Sequence, residues 1–374
     1  MSLTFVKASC HCGVNTFQIP FTTSKLPLAS DLCHCNSCRH ITGELAVHTA
    51  TMEGAPLTAD SGAESQKPAD LSKLQAYSVS KELTRYFCST CCAYILYETK
   101  GANPHWSVST GALERTEGVV KVGYHAFLAD TLDGGIADHY RVLEGVELAR
   151  YSLDEGSATL PHAWKAVSIV KPAAEGVQER LAAYCHCKMI SLYLTRIDEE
   201  ETKDPKKWWA VAKKADDPTS RQKFMCGHCM CNSCRRANGS LINSWIIIPK
   251  VNVLDARTSL PVTFANGSSA RVPGLKQYES SPGNYRESCG TCGATVFLWT
   301  TDATKTHLPP AIDGEPPVID LSAGLVDQED SGARAERWCH WYEDIIHPED
   351  AIDKIGLEAL KAGVKPAAAP AKSS

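Results

Sequence analysis

Short runs of β-branched and aromatic residues, separated by clusters of Gly, Pro, Ser and Asp, recur along this chain and predict strands rather than helices. In the first half they are Thr4–Ala8, Val14–Ile19, Ala46–Met52, Leu74–Val79, Leu83–Cys88, Ala93–Tyr97 and Trp106–Ser109. Alternation is clearest in Thr84-Arg85-Tyr86-Phe87-Cys88, which runs as a strand into a cysteine knuckle. Gly54–Ala69 is a turn-rich polar loop. The second half repeats the pattern with Leu181–Tyr184, Ile190–Leu194, Trp245–Pro249, Val262–Phe264, Lys276–Glu279, Thr295–Trp299 and Val318–Leu321. The expected fold class is mainly β, with short antiparallel sheets in two tandem units. Residues 1–162 form the first unit, 163–179 a linker, 180–363 the second unit, and 364–374 an Ala/Pro/Lys/Ser-rich tail expected to be disordered. Two insertions, Asp198–Pro218 and Thr300–Pro317, enlarge the second unit. The first insertion reads as a solvated loop with Trp208 and Trp209 packed on a domain edge, and its competing reading is a lid over a metal.

The two halves also share one order of cysteines. The first carries Cys10-His11-Cys12, Cys33-His34-Cys35-Asn36-Ser37-Cys38 and Cys88-Ser89-Thr90-Cys91. The second carries Cys185-His186-Cys187, Cys229-Met230-Cys231-Asn232-Ser233-Cys234 and Cys289-Gly290-Thr291-Cys292. Seven thiolates per copy divide naturally into four, which close a tetrahedral structural site, and three, which leave one coordination position open. The C-x-C and C-x-x-C pairs lie far apart in sequence, so a shared ion would staple the ends of a unit together. Loop-closure entropy rises slowly enough with length to permit that.

Composition narrows the setting. With 374 residues, 43% of them hydrophobic, the chain can build two cores. Its 17 cysteines follow no apolar leader and no membrane span, so a reducing cytoplasmic location is expected and the thiols read as metal ligands. A net charge of -5 argues against a nucleic-acid partner, and no membrane partner is expected. Oligomeric state is left open. There is no Ser-His-Asp arrangement, P-loop or dinucleotide fingerprint.

At its cysteine motifs the chain resembles the glutathione-dependent formaldehyde-activating enzyme family, which also includes centromere protein V-like proteins. Further residues carry the resemblance: Arg39 and Arg235-Arg236 after the third cysteine, Gly43 and Gly239, the strand Ser244–Pro249, the turns Ser109–Leu113 and Ser322–Leu325, and His125 and His340 near the closing histidine. The resemblance implies a β-tent fold for each unit, with two zinc ions per unit and glutathione as co-substrate. Carried over, Cys10, Cys12, Cys88 and Cys91 make one structural site, and Cys185, Cys187, Cys289 and Cys292 the other. Cys33, Cys35 and Cys38, and likewise Cys229, Cys231 and Cys234, are the implied catalytic sites. The namesake reaction joins glutathione to formaldehyde. Two departures stand out: Cys92 occupies the place of the glycine kept as Gly293, and Cys226 adds a thiol three residues before Cys229, where it could close that site.

A three-thiolate zinc is a poorer Lewis acid than one on neutral histidines, but it binds and activates a soft sulfur. A carbon–sulfur lyase or glutathione-handling enzyme follows, its partner a small electrophile or thiol adduct. The rivals are a non-catalytic zinc-stapled binding module and a zinc enzyme acting on a specialised metabolite without glutathione; for each triad the alternative is a second structural ion. Arg39 and Arg235 are candidates to pair a glutathione carboxylate or to donate hydrogen bonds near the sulfur cluster, with a surface salt bridge as the competing reading. His48, matched to Trp245 of the second copy by counting from Gly43 and Gly239, is a candidate acid/base or fourth ligand, against plain packing. His11, His34 and His186 are expected to point outward, and Trp245, Trp299 and Trp338 to be core. Because Cys226 adjoins the second triad, the first is expected to be the more open.

Overall fold

The computed structural model describes residues 2–170, 180–217, 220–264, 271–304, 306–329 and 331–365. Most of the predicted linker and all but the first two residues of the predicted tail lie outside the described residues.

The chain is mainly β, and each half repeats one plan. A small antiparallel sheet opens it, built from Leu3–Ser9, Thr16–Thr22 and Leu57–Thr58 in the first half, and from Arg180–Tyr184, Ser191–Thr195 and Val253–Asp255 in the second. A longer sheet follows. In the first half its order is Ala149–Arg150, Val120–Ala126, Leu28–Cys33, Val47–Thr51, His105–Ser109, Tyr94–Thr99, Leu83–Cys88 and Leu74–Ser78. In the second half the main path is Ala210–Val211, Lys223–Cys229, Asn243–Pro249, Val318–Ser322, Thr295–Thr300, Asn284–Cys289 and Leu275–Ser281. Parallel pairing joins Val120–Ala126 to both Leu28–Cys33 and Ala149–Arg150 in the first half, and Lys223–Cys229 to Cys339–Ile346 in the second. Leu28–Cys33 and Lys223–Cys229 were among the strands missing from the sequence pattern, and each delivers the first cysteine of a triad at its C-terminal end. Asn243–Pro249 and Thr295–Thr300 are buried at every residue, so as central strands covered on both faces they show no polar alternation. The predicted strand Val262–Phe264 does not form. Its Val262 and Phe264 still pack in the core, but only Pro261 makes a bridge, to Leu254.

Two short helices follow the triads: α1 (Asn36–Thr42) and α2 (Asn232–Asn238). Each is N-capped by a sulfur, with Cys35 Sγ accepting from the Cys38 amide and Cys231 Sγ from the Cys234 amide, both at 3.3 Å. Each ends at a left-handed glycine, Gly43 or Gly239. α3 (Lys354–Val364) closes the second half, runs one residue into the segment assigned to the tail, and packs against the Val142–Leu143 strand of the first.

The halves are interlocked about a pseudo-two-fold arrangement. α1 lies on the Ala323–Leu325 turn of the second half and α2 on the Thr110–Ala112 turn of the first. Backbones meet there so closely that a Cβ at Gly111 would overlap Gly239 and Ser240, and one at Gly324 would overlap Glu44. Glu44 is buried and accepts from Asn238 Nδ2 (2.7 Å) and the Ser244 amide (3.0 Å) across the interface.

Candidate metal centres

Four groups of sulfurs come together, each within 4.8 Å: Cys10, Cys12, Cys88 and Cys91; Cys185, Cys187, Cys289 and Cys292; Cys33, Cys35 and Cys38; and Cys229, Cys231 and Cys234. Neighbouring sulfurs stand 3.4 Å (Cys10–Cys12), 3.6 Å (Cys12–Cys88) and 3.5 Å (Cys33–Cys38) apart. That is too far for a disulfide at ~2.05 Å and close enough to share an ion. All 17 cysteines are free. The grouping is the four-plus-three division, and each group could hold a metal ion. Backbone and side-chain amides already face the sulfurs: Cys88 Sγ accepts from Asn15 Nδ2 at 3.2 Å, and Cys185 Sγ from the Ile190 amide at 3.4 Å.

Cys226 is not part of the second triad. Residues 223–229 are extended, so positions 226 and 229 face opposite sides of the strand. The Cys226 thiol lies fully buried in the core beside Cys339 and contacts the Phe224 carbonyl. A C-x-x-C bite needs a turn, and this stretch has none.

Several other expectations change. Cys33 pairs with Val47, and Leu32 with His48, so His48 faces away from the triad. It is buried against Ser30 Oγ at 2.9 Å, and burial pushes its pKa down to about 4. The same register pairs His228 with Ser244, which makes Ser244, not Trp245, the counterpart of His48. Arg39 and Arg235 are buried in the interface rather than available to a carboxylate. Arg39 binds Gln328 Oε1 (2.6 Å) and Asn36 Oδ1 (2.8 Å), and Arg235 binds the Gly111 and Leu113 carbonyls, both at 2.7 Å. Their place on α1 and α2 turns them across to the facing turn. His11, His34 and His186 do not point into solvent. His11 bridges Tyr278 (2.9 Å) and Ser233 (3.0 Å), His186 meets Tyr77 (2.9 Å), and His34 pairs with buried His125 (3.0 Å). His340 is exposed. Trp245, Trp299 and Trp338 are core residues, and Trp245 also lines the cavity described next.

Sequence reasoning missed the groups closest to the triads. Arg85 Nη2 donates to Cys38 Sγ at 2.9 Å, and Arg286 Nη2 to Cys234 Sγ at 3.3 Å. Both guanidinium groups are buried, and in both the Nε and Nη1 atoms have no hydrogen-bond partner. The signal was present: each arginine stands three residues before the first cysteine of its C-x-x-C. The neighbouring thiols, and after them Arg85 or Arg286, hold Cys38 and Cys234 well below the usual thiol range.

The two triads differ in what covers them. In the first half Tyr97 pairs with Arg85, lies with its ring 5.1 Å from the guanidinium, and packs on Cys38 and Val47. In the second half Leu298 holds the place of Tyr97 opposite Arg286. There a cavity of about 170 Å³ opens onto Cys229, Cys231 and Cys234, walled by Arg286, Trp245, Asn284 and Ile346. The Thr300–Pro317 insertion brings His307 to its rim, where Nε2 meets Asp320 Oδ1 at 3.1 Å. Burial lowers the His307 pKa, but the Asp320 charge and hydrogen bond outweigh it and raise the value overall. Trp208, from the other insertion, packs edge-on against His307 at 5.8 Å. Cys226 therefore does not close the second triad, which borders a cavity.

The fold and its sulfur clusters define a mainly β protein with four cysteine groups that could each hold a metal ion. Residues 5–130 match the family model of the glutathione-dependent formaldehyde-activating enzyme, the family that the cysteine motifs resemble. The match spans the first copy's cysteine motifs. No curated protein and no solved structure gives a significant match. Among the described residues no helix is long and apolar enough to cross a membrane.

Proposed function

We propose that the chain is a zinc-dependent carbon–sulfur lyase or synthase, which makes or breaks the bond between a glutathione-type thiol and a small electrophile at Cys229, Cys231 and Cys234. One observation carries this reading: the second triad opens into a cavity walled by a buried arginine and a tryptophan. All-sulfur donor sets suit zinc, and sulfur separations of 3.4–3.6 Å in the four-cysteine groups approach the ~3.8 Å edge expected for Zn–S bonds of about 2.3 Å. Cys10, Cys12, Cys88 and Cys91, and their counterparts in the second half, would hold structural ions. Bound at the second triad, zinc would supply a site that takes up a substrate sulfur as its thiolate.

The protein's own groups do the remaining work. Arg286 holds Cys234 and keeps Nε and Nη1 free beside the cavity, suited to an anionic or developing oxyanion group. Trp245, Leu298 and Ile346 give an apolar wall that limits water around the reacting carbon. The first triad, with Tyr97 packed on Cys38, serves as scaffold. The substrate sulfur belongs to glutathione and the electrophile is a small carbonyl compound, formaldehyde being the first to test.

The test compares Cys38→Ala with Cys234→Ala, each assayed for formation and cleavage of the glutathione–formaldehyde adduct, with metal content measured alongside. Activity should survive Cys38→Ala and vanish with Cys234→Ala. The reverse result would move catalysis to the first half, and no activity in the metal-loaded wild type with any glutathione adduct would overturn the reading.

A further inference from the structure

From the geometry around the second triad we infer that His307 is the acid–base group of that site, positioned by Asp320; the inference rests on the proposed carbon–sulfur chemistry there. His307 lines the same cavity as the three cysteines. One ring nitrogen, Nε2, faces Asp320 Oδ1 at 3.1 Å, while Nδ1 is buried and has no hydrogen-bond partner. Asp320 is fully buried on the strand Val318–Ser322 and cannot turn to solvent. A carboxylate that accepts from Nε2–H fixes the tautomer, so the lone pair is left on Nδ1. Trp208 and His347 pack around the ring, each with centroids 5.8 Å away, and hold its orientation. The charged and titratable groups facing it are Asp320, His347, Arg286 across the cavity and the triad thiols.

This pair is specific to the second half. His307 lies on the insertion, and strand register gives Asp320 the counterpart Ser107 in the first half, because Ile247 pairs with Asp320 as Thr51 pairs with Ser107. The proton balance is simple. In addition, the substrate S–H proton passes to His307 Nδ1 while the sulfur pair forms the S–C bond. The carbonyl π pair moves to oxygen, and the same proton is returned from Nδ1 to that oxygen. Cleavage runs the sequence backwards: the hydroxyl proton goes to Nδ1, the C=O forms, the S–C bond breaks, and the sulfur regains the proton. No oxidant or second co-reactant is needed.

Four metal-loaded proteins test this: wild type, Cys234→Ala, His307→Gln and Asp320→Asn. Each is assayed with glutathione and formaldehyde, and its imidazole nitrogens are read by NMR after 15N-histidine labelling. His307→Gln should lower kcat by ~10²–10⁴-fold with metal content and thermal midpoint unchanged, and added imidazole should restore part of the rate. In wild type at a pH above the raised His307 pKa, His307 should show a protonated Nε2 and a bare Nδ1, and Asp320→Asn should disturb that tautomer. A His307→Gln rate within a few-fold of an active wild type, or a neutral His307 ring that carries its proton on Nδ1, would overturn the inference. A wild type that neither forms nor cleaves any adduct removes the proposed function instead, and the tautomer measurement then judges the His307–Asp320 pairing by itself.

Discussion

Arg286 reaches from its strand to place Nη2 at 3.3 Å from Cys234 Sγ, and in the other half Arg85 stands 2.9 Å from Cys38 Sγ. A fixed cation beside one sulfur of a three-sulfur cluster stabilises that sulfur as thiolate, and hydrogen bonds to charged groups contribute about 1.5–3 kcal/mol. Arg286→Met should therefore slow adduct formation by roughly 10–100-fold. It should also lower the rate at which Cys234 in metal-stripped protein is alkylated near neutral pH. Unchanged alkylation would mean that Arg286 does not tune the sulfur.

The four-sulfur and three-sulfur groups should respond differently to ligand loss. Cys289→Ser removes one end of a staple between distant segments, so the thermal transition should fall sharply and metal be lost from the outer site. Cys231→Ser touches a local turn and should leave most of the fold in place. Equal melting of both variants, measured by calorimetry, would contradict the division.

The close approach of the halves predicts a large effect from a single methyl group. Gly324→Ala must displace the Glu44 backbone, and Gly111→Ala that of Gly239 and Ser240. Each should destabilise by about 1–3 kcal/mol or more through overpacking, read as a lower denaturation midpoint. An unaffected midpoint would show that the turns can separate without loss.

Glu44 sets a pH dependence. Burial raises its pKa from 4.5 to about 8. Between those values the folded chain holds a proton that the unfolded chain has released, so folding binds protons. Stability should then fall as pH rises through this window, by up to ~1.4 kcal/mol per pH unit, and level off above it. Glu44→Gln should remove that component when unfolding curves of the two proteins are subtracted. A difference that is flat from pH 5 to 8 would sink the assignment.

At Cys92 and Gly293 the chain takes the same left-handed turn, with φ of 60° and 76°. A side chain at 293 would strike the Phe87 ring, whereas the Cys92 side chain fits beside Ile41, Phe87 and Tyr94. Gly293→Ala should cost more stability, by ~1 kcal/mol or more, than Cys92→Ala, where only a small buried thiol is lost. The two denaturation midpoints decide it.

How far the sequence could be read follows from the range of each interaction. The cysteine groups were legible because their turns are local and the order repeats. Leu83–Cys88 was legible from its Leu, Thr, Tyr and Phe residues running into the cysteine knuckle, although its burial does not alternate. Leu28–Cys33 and Val120–Ala126 were not, since Ser30 and Asp31 interrupt one and Gly123 the other, and their parallel pairing joins segments far apart in sequence. Arg39 and Arg235 look like ligand-binding groups until the opposing turn is present to receive them. His307 sits in an insertion without periodicity, so only the folded chain shows that it meets Asp320.

Tyr97 and Leu298 occupy matching places beside the two triads, and a chamber borders the one with the leucine. In a symmetric pair of identical subunits, any such exchange would strike both centres at once. Joined in one polypeptide, the halves always assemble one to one and can accept different substitutions. The covalent tether thus permits a division of labour: one half is free to trade turnover for rigidity while the other keeps the chemistry.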